Sequence, residues 1–383
     1  MYQSSTFGQI LKLLDRELVK KAIDRNKADK YNKGFGTWQQ LVGLLFAQFS
    51  RCRSLRDLEV QFNAKKQSLY HIRMAEIKRS TLSEANQKRT SEVFRDIAEG
   101  MIKAQGQEIK DVVSLIDSSN IRVAGRGSEW TKPTETRCGK GLKLHIQFAN
   151  KTESIEFASI TGTNVNDITE AQKFELENGK IYVFDKGYLD FNWWNKIAMT
   201  NAYFVTRTKK NTAYKVIEEK STADCSDSII KDCIIELRNK NPRGGAKNLL
   251  AGKALRLVEV YDKEHDKKYE FISNLLDATA DEIADYYKQR WGIELLFKWL
   301  KQNLKVTKFL SENENAIKIQ IYVAIIAYVL IGMLKRLSGD RFKRSIDLMS
   351  WIRIAIFSSH TTLRPPIDRK SSINPNQLNM GIL

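Results

Sequence analysis

The fold class is decided by two similar stretches, VVSLID at residues 112–117 and KIYVFD at residues 180–185. Each is a short apolar run that closes on an aspartate, which is typical of a strand buried on both faces. Further strands are predicted at 142–148, 154–160 and 202–207, with a helix at 166–176. Strands that alternate with helices in this way predict an α/β fold built on a mixed sheet.

The segments on either side of this region have other periodicities. Residues 1–110 show the 3.6-residue period of amphipathic helices, which predicts an all-α region. Residues 211–276 contain three predicted strands with no helical period between them. From residue 280 onward the pattern is helical, with helices predicted at 281–304, 315–337 and 342–357.

The composition shows a strong excess of positive charge. The chain has 63 Lys and Arg against 45 Asp and Glu, a net charge of +18. Residues 1–110 hold 21 of these basic residues and 12 of the acidic ones, so half of the excess lies in the predicted helical region. An excess of this size predicts a polyanionic partner, usually nucleic acid. We therefore predict that this region binds DNA through a basic cluster that includes Arg51, Arg53 and Arg56, with a solvated helix face as the alternative.

The cysteines and the longest apolar run both predict a cytoplasmic protein. The four cysteines have no paired spacing, which argues against a disulfide scaffold and indicates buried thiols in a reducing compartment. They are Cys52, Cys138, Cys225 and Cys233. The apolar run Ile319–Leu334 is shorter than the ~20 residues that a membrane span needs, so it is predicted to be a buried helix, and no membrane partner is expected.

Three acids are candidates for catalysis. Asp117 and Asp185 close the two stretches that decide the fold, and Glu294 lies on the predicted helix 281–304. Neighbouring strand ends of an α/β sheet bring their side chains together at the carboxyl edge, where ligands usually bind. Carboxylates that converge there repel one another unless a cation neutralises them, and oxygen-only ligands suit Mg²⁺ or Mn²⁺. A single aspartate after a strand is usually only a turn or a helix cap.

One face of the predicted helix 281–304 is polar. Tyr287, Arg290, Glu294 and Lys301 fall within a ~60° arc at about 100° per residue. The other faces are apolar, which predicts a largely buried helix whose polar stripe needs a polar partner. An Arg290–Glu294 ion pair on a solvent-facing side would explain two of the four residues but not the whole stripe.

The same residues carry a resemblance to a known family. The spacing Tyr-x₂-Arg-x₃-Glu-x₆-Lys resembles the Y-R-E-K signature of bacterial insertion-sequence transposases of the DDE class. The stretch IDSS at 116–119 is similar to the first-aspartate strand of that family, where Asp-Ser-Thr is usual. The stretch FDKGY at 184–188 is similar to the second, where Asp-Arg-Gly-Tyr is usual. Further segments at 141–145, 204–207 and 271–274 extend the resemblance over most of the chain.

The resemblance implies a ribonuclease H-like core in which Asp117, Asp185 and Glu294 hold two divalent cations, Mg²⁺ or Mn²⁺. One cation would activate water, or later a 3′-hydroxyl, for attack on a phosphodiester, and the other would stabilise the leaving oxygen. Arg290 and Lys301 would bind phosphates near the cleaved end.

The resemblance also implies further contacts with DNA. Tyr287 would hydrogen-bond a phosphate, and Lys143 and Arg207 lie in segments that resemble those of the family. Trp291 is the candidate for stacking on a flipped base, as an aromatic residue does in relatives that cut through a DNA hairpin. Core packing is the alternative for Trp291, and an ordinary exposed strand lysine is the alternative for Lys143.

The predicted organisation is an α/β, ribonuclease H-like mixed sheet, interrupted by a β-rich insertion and preceded by an all-α domain. Its parts are a helical DNA-binding domain at 1–105, the first part of the catalytic core at 106–195, the insertion at 196–281, the signature helices of the core at 282–340, and a C-terminal helix and tail at 341–383 that are a candidate dimer contact.

The predicted function is that of an insertion-sequence transposase. It would bind the terminal inverted repeats, cut both ends and join them to double-stranded target DNA, as a homodimer in a synaptic complex at the bacterial nucleoid. Two alternatives are a metal-dependent nuclease that cuts but does not join, and a non-catalytic DNA-binding relative. The complete polar stripe and the insertion argue against the first, and the three intact acids argue against the second.

Overall fold

The computed structural model describes residues 5–32, 34–64, 66–108, 111–123, 141–209, 212–238, 247–304, 309–311, 313–342 and 344–358. Its helices are α1 (Thr6–Leu11), α2 (Arg16–Asn26), α3 (Thr37–Ser50), α4 (Leu55–Asn63), α5 (Lys66–Leu69), α6 (Arg79–Lys88), α7 (Glu92–Glu108), α8 (Asp167–Ala171), α9 (Phe191–Met199), α10 (Ala280–Gln289), α11 (Trp291–Asn303), α12 (Glu314–Leu337) and α13 (Ser345–Ala355). Its strands are β1 (Val113–Arg122), β2 (Gly141–Ala149), β3 (Ser154–Gly162), β4 (Ile181–Phe184), β5 (Tyr203–Arg207), β6 (Tyr214–Glu219), β7 (Ile229–Leu237), β8 (Leu255–Asp262) and β9 (Lys267–Ser273).

The described strands form one mixed sheet of order β3-β2-β1-β4-β5-β9-β8-β7-β6. In its first half β1, β2 and β3 pair antiparallel. β4 lies parallel to β1, and β5 lies parallel to β4. This half has the arrangement expected of a ribonuclease H-like core, and the prediction of a mixed α/β sheet is confirmed.

The predicted β-rich insertion continues the same sheet. From β6 to β9, each strand pairs antiparallel with the next one along the chain. β9 joins these strands to the core through its antiparallel pairing with β5. α9 includes residue 196, the predicted start of the insertion. β5 comes after α9 in the chain, but it pairs with β4 of the core. In the structure the antiparallel extension therefore begins at β6, whereas the division into domains stays a prediction.

Apolar side chains cover both faces of the sheet. On one face a continuous hydrophobic core extends from Phe46 of α3 through Ile326 of α12 to Val183 of β4. On the other face an aromatic cluster around Trp194 of α9 packs on Phe204 of β5. The predicted all-α N-terminal region is confirmed, and its helices share their core with the sheet.

α12 is the central helix of the first core. It is long and apolar enough to cross a membrane, yet most of it is buried inside the protein. Asn313 caps its start by accepting a hydrogen bond from the backbone N–H of Ala316. α3 and α7 of the N-terminal region pack directly on it. The prediction of a buried helix over Ile319–Leu334 is confirmed.

α13 uses its apolar face within the chain. Leu348, Met349 and Ile352 are buried, and the helix packs on α12 and α3. Ile354 on its outer side is 86% exposed. A dimer contact by this helix, which stays a prediction, would have to use that outer side. Residues 359–383 of the predicted C-terminal part lie outside the described residues.

The cysteines agree in part with the prediction of buried thiols. Cys52 and Cys233 are buried, whereas Cys225 is only partly buried in the turn that precedes β7. Cys138 lies outside the described residues.

Candidate active site

The candidate active site begins where β4 ends. Ile116 of β1 lies beside Phe184 of β4 in the parallel register, so the next residues, Asp117 and Asp185, stand side by side. β4 ends at Phe184, whereas β1 continues to Arg122 and pairs there with β2. Asp117 therefore lies inside a strand, and the prediction that both strands end in an aspartate is wrong for β1. The early end of β4 leaves space beside Asp117.

Asp117 is a partly buried carboxylate among other charges. Its side chain is 21% exposed, and its Oδ2 lies 3.6 Å from Arg290 Nη1. Its Oδ1 accepts a hydrogen bond from the backbone N–H of Ser118 at 2.8 Å. Burial, assisted by the carboxylates of Asp185 and Glu294, raises the pKa of Asp117 to about 6 against the opposing effects of Ser118 and Arg290. Asp117 is thus close enough to both other acids to be repelled by them.

The predicted helix 281–304 is two helices that meet at Arg290. A capping box starts α10, and Arg290 is both the C-cap of α10 and the N-cap of α11. The backbone at the junction makes i→i+3 hydrogen bonds, from Arg290 N to Tyr287 O at 3.1 Å and from Ile293 N to Arg290 O at 3.2 Å. This tighter turn changes the angle between side chains before and after it. The prediction of one uninterrupted helix is therefore wrong at this point.

Arg290 bridges two of the acids. Its Nη2 lies 2.5 Å from Glu294 Oε1, and its Nη1 lies 3.6 Å from Asp117 Oδ2. The arginine side chain is only 18% exposed, and its Nε has no hydrogen-bond partner among the described residues. The Arg290–Glu294 ion pair considered as an alternative is present, but it reaches into the site and includes Asp117.

Asp185 is oriented by its own backbone. Its Oδ1 accepts a hydrogen bond from Gly187 N at 2.7 Å and caps a short 3₁₀ turn. Within the described parts of the chain, no three Asp, Glu, His or Cys side chains are gathered so that they could hold a metal ion. Asp117, Asp185 and Glu294 nevertheless offer the oxygen donors that Mg²⁺ and Mn²⁺ prefer. The donor set fits a divalent cation by its chemistry, and cation binding would have to move the guanidinium of Arg290.

Tyr287 packs against β9, the strand that pairs with β5. Its ring stacks on Phe271 with 4.3 Å between the centroids. Arg207, at the end of β5, hydrogen-bonds the Tyr287 side chain and lies over the ring of Tyr269 at 4.4 Å. Burial raises the pKa of the Tyr287 hydroxyl, which therefore stays protonated and can act as a donor. Arg290 lies 5.7 Å from the centre of the Tyr287 ring, so Tyr287 is next to Arg290, and Arg207 is connected to the site through Tyr287.

Lys301 lies on the other side of the acids. Its Nζ donates to Ser119 Oγ at 2.7 Å, which joins α11 to β1 two residues beyond Asp117. Burial and the nearby Arg122 lower the pKa of Lys301. A groove of about 420 Å³ runs from the acids along α11, and its walls include Asp117, Ser119, Glu294, Lys298, Lys301 and Gln302.

Comparison with known families identifies the class of protein that carries this site. Residues 108–330 match a family model described as a transposase DDE domain, which is more than half of the chain. The chain belongs to the DDE transposase family. Residues 2–75 of the transposase match a second model, described as a domain of unknown function, DUF4372.

Individual relatives agree with this family. The transposase is 33% identical to the putative transposase y4zB of Sinorhizobium fredii, over 67% of this chain and 71% of that one. It is 27% identical to a probable transposase for insertion sequence element IS5377 of Geobacillus stearothermophilus, over 68% of this chain and 65% of that one. Among solved structures it is similar to the piggyBac transposase synaptic complex with hairpin DNA, with a TM-score of 0.54 and 13% identity, over 97% of this chain and 86% of that one. This likeness supports the ribonuclease H-like fold class.

Trp291 projects from the start of α11 in this transposase. Its side chain is 61% exposed, and that of Leu295, one helical turn further on, is 48% exposed. The alternative that Trp291 packs in the core is therefore wrong, and the helix, predicted to be largely buried, exposes Trp291 and Leu295. Because residues four apart share a helix face, Trp291 and Leu295 form one exposed apolar strip beside Arg290 and Glu294.

Lys143 belongs to a polar cluster beside Asp117 and is not presented to solvent. Its side chain is 12% exposed, and its Nζ lies 3.0 Å from Asp167 Oδ1. The same carboxylate oxygen accepts a hydrogen bond from Ser118 Oγ at 2.7 Å. Asp167 thus supports the strand next to Asp117, a role that the sequence did not predict. The sequence shows only an Asn-Asp pair at the start of a helix, and such residues are common at helix starts of any kind.

The three predicted arginines of the N-terminal region lie in different surroundings. Arg51 ends α3, and its Nη2 lies 3.1 Å from Asn303 Oδ1 at the end of α11. Arg53 and Arg56 are exposed around the start of α4. Arg51 is therefore the member of this group that the described contacts place against a helix of the candidate site.

Gly292 lies at the start of α11, two residues before Glu294, and packs closely against the side chain of Asn150. A Cβ at this position would overlap Asn150 Oδ1 in the turn between β2 and β3. Gly292→Ala must displace the Asn150 amide, but since this amide is the end of a side chain that can rotate away, we expect α11 to keep its position and DNA cleavage to fall by less than about tenfold, well short of the ~100-fold that a displacement of about 1 Å can cost. Cleavage rates of the purified variants measure the effect.

The Gly292→Ala prediction has a rescue and a control. Adding Asn150→Gly removes the overlapping group and should restore most of the activity. Gly106→Ala, where a Cβ meets no atom within 4 Å, should leave cleavage unchanged. A loss of about tenfold or more that Asn150→Gly does not rescue would contradict this account, because its cause would then lie in the helix backbone.

Proposed function

We propose that this transposase binds the terminal inverted repeats of an insertion sequence, hydrolyses a phosphodiester at each end and joins the 3′ ends to target DNA. The observation that carries the proposal is that Asp117 lies beside Asp185 at the end of β4 and shares Arg290 with Glu294, while Lys301 binds Ser119 nearby. Asp117 and Glu294, which can bind divalent metal ions, line the same groove as Lys301, which can bind a DNA phosphate. Metal-assisted DNA cleavage requires both kinds of group at one site.

Two divalent cations, Mg²⁺ or Mn²⁺, held by Asp117, Asp185 and Glu294 would activate the attacking oxygen and stabilise the leaving one. Asp117 lies beside Asp185 in the sheet and is linked to Glu294 through Arg290, so we assign all three to the cation site. Arg290 neutralises Asp117 and Glu294 in the described arrangement. Its planar guanidinium is also suited to bind a phosphate by two hydrogen bonds, so we assign it to the DNA end.

The residues around the acids support a role in holding DNA. Lys301 is held by a neutral hydroxyl, that of Ser119, so its charge is available for a phosphate. Tyr287 and Arg207 extend the polar surface towards β5 and β9. With a net charge of +18, the protein attracts DNA over its surface as well. We assign the activity to a homodimer that brings two ends together on double-stranded DNA at the bacterial nucleoid, in the cytoplasm.

Incubation with the element ends tests this proposal. The full-length protein is mixed with Mg²⁺ or Mn²⁺, a labelled duplex that carries the inverted repeat flanking its gene, and a supercoiled target plasmid. We expect cleavage at the end of the repeat and transfer of the labelled strand to the plasmid, and EDTA should abolish both. Cleavage without joining would favour the metal-dependent nuclease. End binding without cleavage would favour the non-catalytic DNA-binding relative.

Trp291 is proposed to stack on a base near the cleaved end. Stacking on an aromatic side chain stabilises a bound base by about 1–3 kcal/mol, so Trp291→Ala should slow cleavage by roughly five- to 150-fold. Trp291→Phe should retain most of the activity because it keeps an aromatic face. Fluorescence of 2-aminopurine placed near the cleaved end reports the unstacking of the base.

Leu295→Ala is the matched control for Trp291→Ala. Leu295 lies on the same exposed strip, 48% exposed, but has no ring for a base to stack on. Its substitution should change the cleavage rate by less than about twofold, since an exposed leucine contributes little burial. Equal effects of the two substitutions would contradict stacking and would indicate a general apolar contact.

A further inference from the structure

Two arginines from distant parts of the sequence meet at the C-terminal end of α11. Arg51, which ends α3, places its Nη2 3.1 Å from Asn303 Oδ1. Arg353, on α13, places its Nη2 3.4 Å from the same oxygen. Asn303 is only 2% exposed, and its Nδ2 donates to Trp299 O at 3.2 Å. One buried, neutral amide oxygen thus accepts hydrogen bonds from two guanidinium groups.

No carboxylate pairs with either arginine within the described parts of the chain; their partners are Asn303 Oδ1 and the backbone carbonyl of Gln302 near the end of α11. The ion pairs found there include neither Arg51 nor Arg353, and Arg353 Nε is a buried donor that lacks a hydrogen-bond partner. Burial, and then the charge of Arg51, lower the pKa of Arg353 to about 10. Two neighbouring guanidiniums with unused donors favour an anion, and the planar fork of arginine matches a phosphate.

The backbone at Arg51 does not favour an arginine. Arg51 is the C-cap of α3 and has a positive φ of 54°, in the left-handed region that glycine adopts most readily at the end of a helix. Its backbone conformation therefore does not explain why this residue is arginine. The position of its guanidinium beside Arg353 does.

The pair lies at the C-terminal end of α11, beyond the groove that contains Asp117 and Glu294. Gln302 forms part of that groove, and Arg51 Nη2 also lies 3.5 Å from Gln302 O. Glu294 and Asn303 are nine residues apart on α11, which is ~14 Å at about 1.5 Å per residue. A DNA strand along the groove would span this distance with about four nucleotides at ~3.4 Å of axial rise each.

We propose that Arg51 and Arg353, held together by Asn303, bind one phosphate of the DNA strand about four nucleotides from the cleaved bond, at ~3.4 Å of rise per nucleotide. This assignment rests on the proposed function, because it places DNA in the groove of the acids. It makes α3 and α13, from the two ends of the described chain, a joint support for DNA at the end of α11.

The proposal is tested by the salt dependence of DNA binding. Arg51→Gly, Arg353→Gln and the double variant are made in the full-length chain. Binding to a labelled duplex carrying the inverted repeat is measured by fluorescence anisotropy between about 50 and 200 mM salt without divalent metal. Each phosphate contact contributes about 0.9 to the slope of log K against log salt. The double variant should flatten the slope of log K against log salt by about 0.9, the value for one phosphate. A change of about 1.8 would mean two separate phosphates, and no change would mean no contact; either overturns the shared site.

Position and folding are checked independently. A neutral methylphosphonate walked along the strand should weaken wild-type binding at one position about four nucleotides from the cleaved bond, as the ~3.4 Å rise requires, and should have no such effect on the double variant. Arg51→Gly suits the left-handed backbone, so its thermal unfolding temperature should match or exceed that of the wild type. A lower unfolding temperature together with weaker binding would make Arg51 a structural residue and overturn the proposal.

A matched control and the cleavage assay separate the two proposals. Arg344→Gln removes an exposed arginine near the start of α13 that pairs with Asp347, and it should leave the salt slope unchanged. If the wild type cleaves element ends but the double variant binds as the wild type does, the phosphate site fails and the proposed function stands. If the wild type does not cleave but the double variant loses one phosphate contact, the proposed function fails and the phosphate site stands.

Discussion

Asp117→Asn is expected to lower DNA cleavage by at least about 1,000-fold, a loss of ~4 kcal/mol of transition-state stabilisation, without weakening DNA binding. The amide keeps the size of the side chain but removes the negative charge that a divalent cation needs. It also removes the repulsion that Asp117 experiences from Asp185 and Glu294. The folded variant should therefore be no less stable than the wild type, and DNA, a polyanion, should bind at least as tightly.

Three measurements on each variant separate these effects. Single-turnover cleavage in Mg²⁺ gives the rate, anisotropy without metal gives the DNA affinity, and thermal unfolding gives the stability. Asp185→Asn and Glu294→Gln should behave like Asp117→Asn. Asp24→Asn is the control, because Asp24 is exposed on α2, and it should cleave at the wild-type rate. Cleavage by Asp117→Asn at the wild-type rate would contradict the assignment of the three acids.

The positions of the two aspartates in the sheet could be predicted because the signal is local. A strand covered on both faces is apolar throughout, as both stretches before Asp117 and Asp185 are. The length of β1 could not be predicted in the same way. Its second half, from Ser118 to Arg122, is held by pairing with β2 and is only partly covered, so its polar residues do not show a buried pattern.

The polar stripe was predictable from helical periodicity, but its break at Arg290 was not. The sequence places no proline there, and Gly292, two residues later, is explained only by its contact with the turn at Asn150. Periodicity also gives the angles between side chains but not which apolar sector faces the protein. Trp291 and Leu295 were therefore assigned to a buried helix although they form its exposed strip.

The meeting of Arg51 and Arg353 at Asn303 shows a further limit of sequence analysis. The hydrogen bonds join residues 252 and 50 positions apart in the chain. A local pattern such as a charge cluster identified Arg51 together with Arg53 and Arg56, yet it could not separate them. The distinction arises from tertiary packing, because α3 and α13 both pack on α12, beside the end of α11.

Arg256→Ala is expected to destabilise the folded transposase by about 3–5 kcal/mol, because it leaves a buried carboxylate without its partner. Arg256 of β8 binds Asp232 of β7 through two hydrogen bonds, of 2.5 and 2.6 Å, and the two side chains are 4% and 3% exposed. Arg256 Nη1 also donates to Leu276 O at 2.7 Å. The pair thus ties the antiparallel extension to the segment that leads into α10, the helix that carries Tyr287.

The surface pair of Arg344 and Asp347 provides the control for burial. It has the same chemistry and a distance of 2.8 Å, but its side chains are 74% and 44% exposed. Exposed pairs contribute about 0–1 kcal/mol, so Arg344→Ala should change the free energy of unfolding by no more than that. Both variants are measured by urea unfolding under the same conditions.

A double substitution decides whether the buried charge is the cause. Asp232→Leu combined with Arg256→Met removes both charges and fills the space with apolar atoms, so it should be more stable than Arg256→Ala by several kcal/mol, on the order of 1–4. The double variant still lacks the hydrogen bond to Leu276 O, so a cleavage defect that persists after stability has recovered reports the loss of that contact. If Arg256→Ala costs no more than Arg344→Ala, or if the double variant is no more stable than the single one, the extension does not depend on this pair. The position of α10 would then have to come from its packing on β4, β5, β7, β8 and β9.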